Sequence, residues 1–219
     1  MFIDFEPLTH TYTDIEGNNY ISVSKVVSKY KAKFDSDKWS KVKALQRGIT
    51  QEEILEEWRL KALASTDKGT EIHKAVEEYF VNDKESDIIK SYLPTFRLWK
   101  KTAVFFHPEK ILYSKEYKVA GTCDMVVYSE KEDEYSILDW KTNKEIKKSN
   151  KYQKMTGICS HLDDCNYNHY MLQLNLYARL LDKPIKKLNI IHLTDKLTII
   201  PVKIDLEFAD RILQDFSKS

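Results

Sequence analysis

Two apolar runs, residues 119–128 and 135–141, each carry a single aspartate where a strand would want an apolar side chain. Val119-Ala120 and Met125-Val126-Val127 flank Asp124, and Ile137-Leu138 lead into Asp139-Trp140-Lys141. Runs of this length and make-up read as β-strands. A carboxylate within such a strand is costly to bury unless it is paired or bound to a cation. Residues two apart on a strand share a face, so Asp139 and Lys141 point one way and Trp140 points the other, into packing. The Gly121-Thr122 step before Asp124 permits another group to approach closely. The polar pair sits where the strand leaves the core, and a cleft can open there.

Two carboxylates and a lysine so placed suit a hard divalent ion, Mg²⁺ or Mn²⁺, with the Trp140 carbonyl as a further ligand. Such a site can activate water against a phosphodiester, and Lys141 can orient or deprotonate that water. Taken alone, an Asp-x-Lys at a strand end is more often a surface ion pair.

The rest of the chain reads as follows. Residues 8–23 form two short strands around a turn, and Ser22 or Ser24 caps a helix through Val26, Val27 and Tyr30. Helices cover 36–47 and 51–65, the second opened by a Thr50/Glu53 capping box. Thr66-Asp67 precede a separate amphipathic helix over 69–80, and another helix covers 85–102. Strands at 111–113, 119–128 and 135–141 follow, then a polar stretch over 142–166. A helix at 170–181, strands at 187–193 and 197–203, and a closing helix at 206–216 complete the chain. The core order of helix, three strands, helix and strand predicts an α/β domain with a mixed sheet behind an N-terminal helical region. Residues 1–65 are expected to form that region, a candidate DNA-binding lobe, and 66–219 the core.

The formal net charge is only +1, so a globally basic binder is not indicated. Its distribution is uneven. Residues 25–47 carry seven Lys and one Arg against two Asp, and 141–154 carry six Lys against one Glu. Those segments hold +6 and +5, which leaves −10 elsewhere. Concentrated charge of this kind is either a solvated face or a local phosphate track, in which Lys31, Lys33, Lys38, Lys144, Lys147 and Lys148 are candidates. Tyr30, Phe34 and Trp39 among the first lysines could be helix core or could stack unpaired bases.

Three cysteines, Cys123, Cys159 and Cys165, suit a reducing compartment better than a disulfide framework. Cys159 and Cys165 bracket His161, Asp163 and Asp164, but without a Cys-x-x-Cys pair they read as free thiols in a loop. No apolar run approaches a membrane span and no signal peptide is evident, so a cytoplasmic location is expected, in a bacterium or in the host of a phage or virus.

Two more features bear on the aspartates. His73 lies on the 69–80 helix. Gln173 and Tyr177 share one face of the 170–181 helix, off the apolar stripe of Met171, Leu174, Ala178 and Leu181. In sequence order the chain carries Gly69-Thr70-Glu71-Ile72-His73, Gly121-Thr122-Cys123-Asp124, Asp139-Trp140-Lys141 and Gln173-Leu174-Asn175-Leu176-Tyr177. This series resembles the PD-(D/E)XK nucleases of the RecB-like exonuclease branch, and Thr9-His10-Thr11-Tyr12 with Ser22-Val23-Ser24 is similar to phage and CRISPR-adaptation-like members. The resemblance implies a restriction-endonuclease-like core. It implies His73, Asp124, Asp139 and the Trp140 carbonyl as metal ligands, and Lys141 as the catalytic lysine with Asp124 and Asp139. Gln173 and Tyr177 would support the site and contact the DNA backbone. Members often carry a glutamate on the first strand, for which Glu109 and Glu116 are both open. The four-cysteine iron–sulfur cluster of some relatives cannot be built from three cysteines.

The function expected is a Mg²⁺- or Mn²⁺-dependent DNA exonuclease acting on single-stranded or frayed ends. A structure-specific endonuclease and a catalytically inactive nucleic-acid-binding module are the alternatives. Replication, recombination and viral genome processing would all suit such an activity.

Overall fold

The computed structural model describes residues 3–6, 9, 11–102 and 104–218. Three short strands open the chain: β1 (Ile3–Glu6), β2 (Thr11–Asp14) and β3 (Asn19–Ser22). The last two are the expected pair. Asp14 closes the turn between them by accepting the amide hydrogens of Glu16 and Asn18. His10 and Leu8, part of the sequence reading, lie outside the described residues. Ser22 caps α1 (Val23–Lys29), and Asp35 caps α2 (Ser36–Arg47).

The next helix departs from expectation. α3 runs unbroken from Gln51 to Asn82, 32 residues, through Thr66 and Asp67. Thr66 turns its hydroxyl back onto the Ala62 carbonyl at 3.0 Å instead of capping a new helix. The expected boundary at 65/66 therefore falls inside one helix, and the N-terminal strands belong to the same sheet as the later ones. The Thr50/Glu53 capping box is present. The helix expected over 85–102 is only α4 (Leu93–Lys100), because Pro94 can sit in a first turn but not inside a helix.

Five strands and two helices follow: β4 (Phe105–Ser114), β5 (Val119–Ser129), β6 (Glu134–Lys141), α5 (Asn166–Leu181), β7 (Ile185–Leu193), β8 (Leu197–Val202) and α6 (Leu206–Ser217). The eight strands form one mixed sheet in the order β1-β2-β3-β5-β6-β7-β8, with β4 also on β5. Pairing is parallel for β3–β5 and β6–β7 and antiparallel elsewhere. α1, α5 and α6 cover one face, around Val23, Leu174 and Ile212. The second half of α3 and α4 cover the other, around Val76, Phe96 and Trp140. The first half of α3, paired with α2 through Ile54, Ala44 and Ser40, projects from this body as a helical arm. From Leu55 to Glu71 no α3 side chain is buried. Among the described residues no helix is long and apolar enough to cross a membrane.

Candidate active site

The strand order creates the cleft. β4 pairs along the whole of β5, so β3 and β6 must share the opposite edge. β3 stops at Ser22↔Ala120 and β6 departs after Leu138↔Met125, leaving Gly121–Asp124 in a fork between them. Where the ladder ends, Asp124 takes over: its Oδ2 accepts the Trp140 amide hydrogen at 2.7 Å. That one bond ties the two aspartate-bearing strands together at the site.

The same point is where the hairpin turns over. Cys123 packs on the α5 side, and Met125, two residues on, packs on the α3 side. Across from Asp124, between the pairs Pro108↔Met125 and Lys110↔Cys123, stands Glu109 with φ +48°. The other non-glycine residues with positive φ end helices or sit in turns, whereas Glu109 lies within a strand. Its left-handed backbone swings its carboxylate toward Asp124.

α3 brings His73 to the same place, with Nδ1 3.6 Å from Asp124 Oδ1. His73, Glu109 and Asp124 each offer a ligand atom within 4.8 Å of the others. Gly69 lets α3 come this close, since a Cβ there would lie 3.3 Å from Thr142 Oγ1. The three line a cleft of about 680 Å³ with Glu77, Gln173 and Tyr177.

Asp139 lies beneath this group, 1% exposed. Lys141 Nζ pairs with its Oδ2 at 2.5 Å, deep in the site. Burial pushes the Asp139 carboxyl up; the Lys141 ammonium opposes the shift and the Asp124 charge adds to it. Burial works to strip the charge from Lys141, but Asp139 and Asp124 outweigh it and hold its pKa at about 12. Burial, then the charges of Asp124, Glu77 and Asp139, push Glu109 up to about 8. Acid groups therefore crowd a site whose single buried ammonium cannot balance them. An imidazole and several converging carboxylates with too little positive charge to balance them fit a hard divalent cation. Cys123 is no rival nucleophile: burial raises its thiol pKa well above the ordinary value.

Trp140 sends its ring into the α3-side core, near Phe80, Phe96 and Trp99, as the two-residue period requires. Gln173 donates to the Tyr177 hydroxyl at 3.2 Å. Tyr177, read as lying off the apolar stripe, is 4% exposed and part of the core, its ring packed on Gly121. A Cβ at Gly121 would sit 2.8 Å from Tyr177 Cε1. Tyr177 thus supports the Gly121–Asp124 backbone from within the cleft wall. Tyr30 is likewise core, its hydroxyl bonded to Asp215 at 2.8 Å, so it cannot stack a base. Lys31 is half-buried within reach of the Lys141 and Asp164 charges. Lys33, Lys38, Lys144, Lys147 and Lys148 are exposed.

Sequence reasoning left Glu109 level with Glu116. Glu116 sits in the exposed turn at the far end of the β4–β5 hairpin. The discriminating signal is distance: in a hairpin with matched register, only the residue paired across from Asp124 can join it. Two further contributors were not read as part of the site. Glu77 follows His73 by one helical turn on the same face. Tyr12 reaches across from β2, its hydroxyl accepting the Thr122 amide hydrogen at 3.0 Å.

Two solved structures are similar over most of the chain. The crystal structure of SSO0001 is 15% identical, with a TM-score of 0.40, over 93% of this chain and 77% of that one. A "Putative exonuclease" from Eubacterium rectale is 12% identical, with a TM-score of 0.38, over 90% of this chain and 77% of its own. No curated protein matches the sequence. Residues 32–199, which span α2, α3, the fork and α5, match the PD-(D/E)XK nuclease superfamily, and the chain belongs to that superfamily.

Proposed function

We propose that this nuclease is a divalent-metal-dependent DNA exonuclease of the RecB-like branch, acting on single-stranded or frayed ends. The observation that carries the metal is the crowding of ligand groups: His73, Glu109 and Asp124 offer atoms within 4.8 Å of one another, and the buried Asp139 adds its charge beside them with only the Lys141 ammonium against it. His73, Asp124 and Asp139, with Glu109 and the Trp140 carbonyl, would hold Mg²⁺ or Mn²⁺. When bound, the ion would supply charge stabilisation at the scissile phosphate and a water of lowered pKa.

The remaining work falls to the chain's own groups. Lys141, kept protonated by Asp139, orients the attacking water or holds charge on the phosphate. Gln173 and Tyr177 hold the fork in register. The exposed Lys33 and Lys38 on one side and Lys144, Lys147 and Lys148 on the other receive the phosphates, with half-buried Lys31 between them and the site. Lys141→Ala and Asp139→Ala should abolish cleavage with the fold intact, and full activity in either would overturn the assignment. Digestion of 5′- and 3′-labelled strands with Mg²⁺ or Mn²⁺ tests the end dependence. A circular single strand should survive; its cleavage would make the protein an endonuclease, and no turnover with Mn²⁺ would make it a binding module.

A further inference from the structure

We infer that Phe34 and Trp58 form a stacking platform for the bases of an unpaired strand, where that strand leaves the site and meets the helical arm. The strand's direction rests on the nuclease reading above; the platform itself rests on the arm. Phe34 is 65% exposed and its ring lies 5.7 Å from that of Trp58 on α3. Trp39, 46% exposed, stands nearby on α2 with the Lys38 ammonium 5.8 Å from its ring. Sequence order alone offered Tyr30 for this role; the fold withdraws it and supplies Trp58, 24 positions after Phe34 in the chain.

The platform is anchored to the site. The segment between α1 and α2 is pinned to the polar stretch after Lys141 by two bonds. The Ala32 amide donates to Asp164 at 2.7 Å, and the Thr156 amide donates to the Tyr30 carbonyl at 2.8 Å. Lys31, between those bonds, faces the Lys141 charge.

Charge selects the occupant. Two nearby acids are already ion-paired, Asp37 with Lys41 and Glu57 with Arg47, and Asp35 turns its carboxylate to the start of α2 as its cap. Among the described residues Lys33 and Lys38 have no carboxylate partner. Exposed Phe34 and Trp39 with half-buried Trp58, interleaved with lysines that lack a carboxylate partner, suit a polyanion with flat bases, a single nucleic-acid strand, better than an apolar protein surface.

The reach is set by α3. Gly69 abuts Thr142, next to Lys141, and Trp58 lies 11 positions earlier on the same unbroken helix. At the α-helical rise this is about 16 Å. A stacked strand advances about 3.4 Å per nucleotide, so roughly five nucleotides separate the site from the platform.

The test is equilibrium binding of labelled oligothymidylates in EDTA, where nothing is cleaved. Oligomers longer than about five nucleotides should bind roughly tenfold tighter than shorter ones. Phe34→Ala with Trp58→Ala should remove that increment and leave the short oligomers unchanged, while Trp58→Phe retains it. Retention of the increment in the alanine pair would overturn the inference. So would equal losses on short and long strands, or the same increment for a blunt duplex. Self-association lost in the alanine pair with strand binding unchanged would assign the surface to a second copy and overturn it as well. Since binding is read without turnover, the result stands apart from that of Lys141→Ala, which alone decides the catalytic site.

Discussion

Gly121→Ala is the sharpest test of how the site is held. The new methyl would lie 2.8 Å from Tyr177 Cε1, 3.1 Å from Val23 Cγ2 and 3.2 Å from Val23 Cβ. None of these is the loose end of a flexible chain: Val23 is 0% exposed and the Tyr177 ring 4%. Ordinary contact begins at 3.4 Å, so the ring must retreat by several tenths of an ångström into a packed core. Overpacking of this kind costs about 1–3 kcal/mol. With a urea m-value of about 2 kcal/mol/M, the midpoint of urea unfolding should fall by roughly 1 M at unchanged m. The cause is isolated by a cycle. Tyr177→Ala costs about 3–5 kcal/mol by itself, but in its background Gly121→Ala should cost about 1 kcal/mol less, with Val23 leaving a residue. Equal costs in the two backgrounds would show that Tyr177 does not set the need for glycine, and the account of the Gln-x-x-x-Tyr helix as a brace for the fork would fail.

Glu109 makes the metal-free protein sensitive to pH. Its folded pKa of about 8 exceeds the ordinary 4.5, so folding takes up a proton between them, and stability should fall as pH rises from 4.5 to about 8. Screening of this partly exposed group leaves about 1–2 kcal/mol, and in EDTA Glu109→Gln should flatten the slope of urea midpoint against pH; parallel slopes would refute the reading. Tyr12→Phe strands the Thr122 amide hydrogen and should cost about 1–3 kcal/mol in chemical denaturation, with no loss meaning that water replaces the hydroxyl. Mn²⁺ at a hundredfold excess over its dissociation constant should stabilise the fold by about 2.7 kcal/mol in thermal melts. Asp124→Asn should lose most of that gain, and an undiminished gain would place the ion elsewhere.

Most of the candidate site's strand placement was legible because it depends on local period. Asp139, Trp140 and Lys141 divide between the two faces as a strand must divide them, and Trp140 finds an aromatic core on the far side. His73 was legible as a member of a helix face that ends at a strand pair. Three things were not. The continuity of α3 through Thr66 and Asp67 is decided by where the arm projects, and each residue is individually a reasonable cap. Tyr177 looked peripheral because Met171, Leu174, Ala178 and Leu181 make a complete stripe; it is buried because Gly121 leaves a hollow for its ring, a fact carried 56 positions away in the chain. Glu109 could not be separated from Glu116 without the β4–β5 register. A reversal of strand faces at Asp124 defeats any strict alternation, since Cys123 and Met125 are both apolar and both buried on opposite sides.

The left-handed backbone at Glu109 has an implication for how the protein can be altered. A side chain in that region of φ is held against its own preference, at a cost on the order of 1 kcal/mol or more that glycine would not incur. Replacing Glu109 by Gly should therefore relax the hairpin and remove a crowded acid at once, yielding a more robust protein that has lost a candidate ligand. A library sorted for thermal tolerance alone would enrich that change. On the proposed reading, selection for robustness and selection for cleavage would pull this one position in opposite directions.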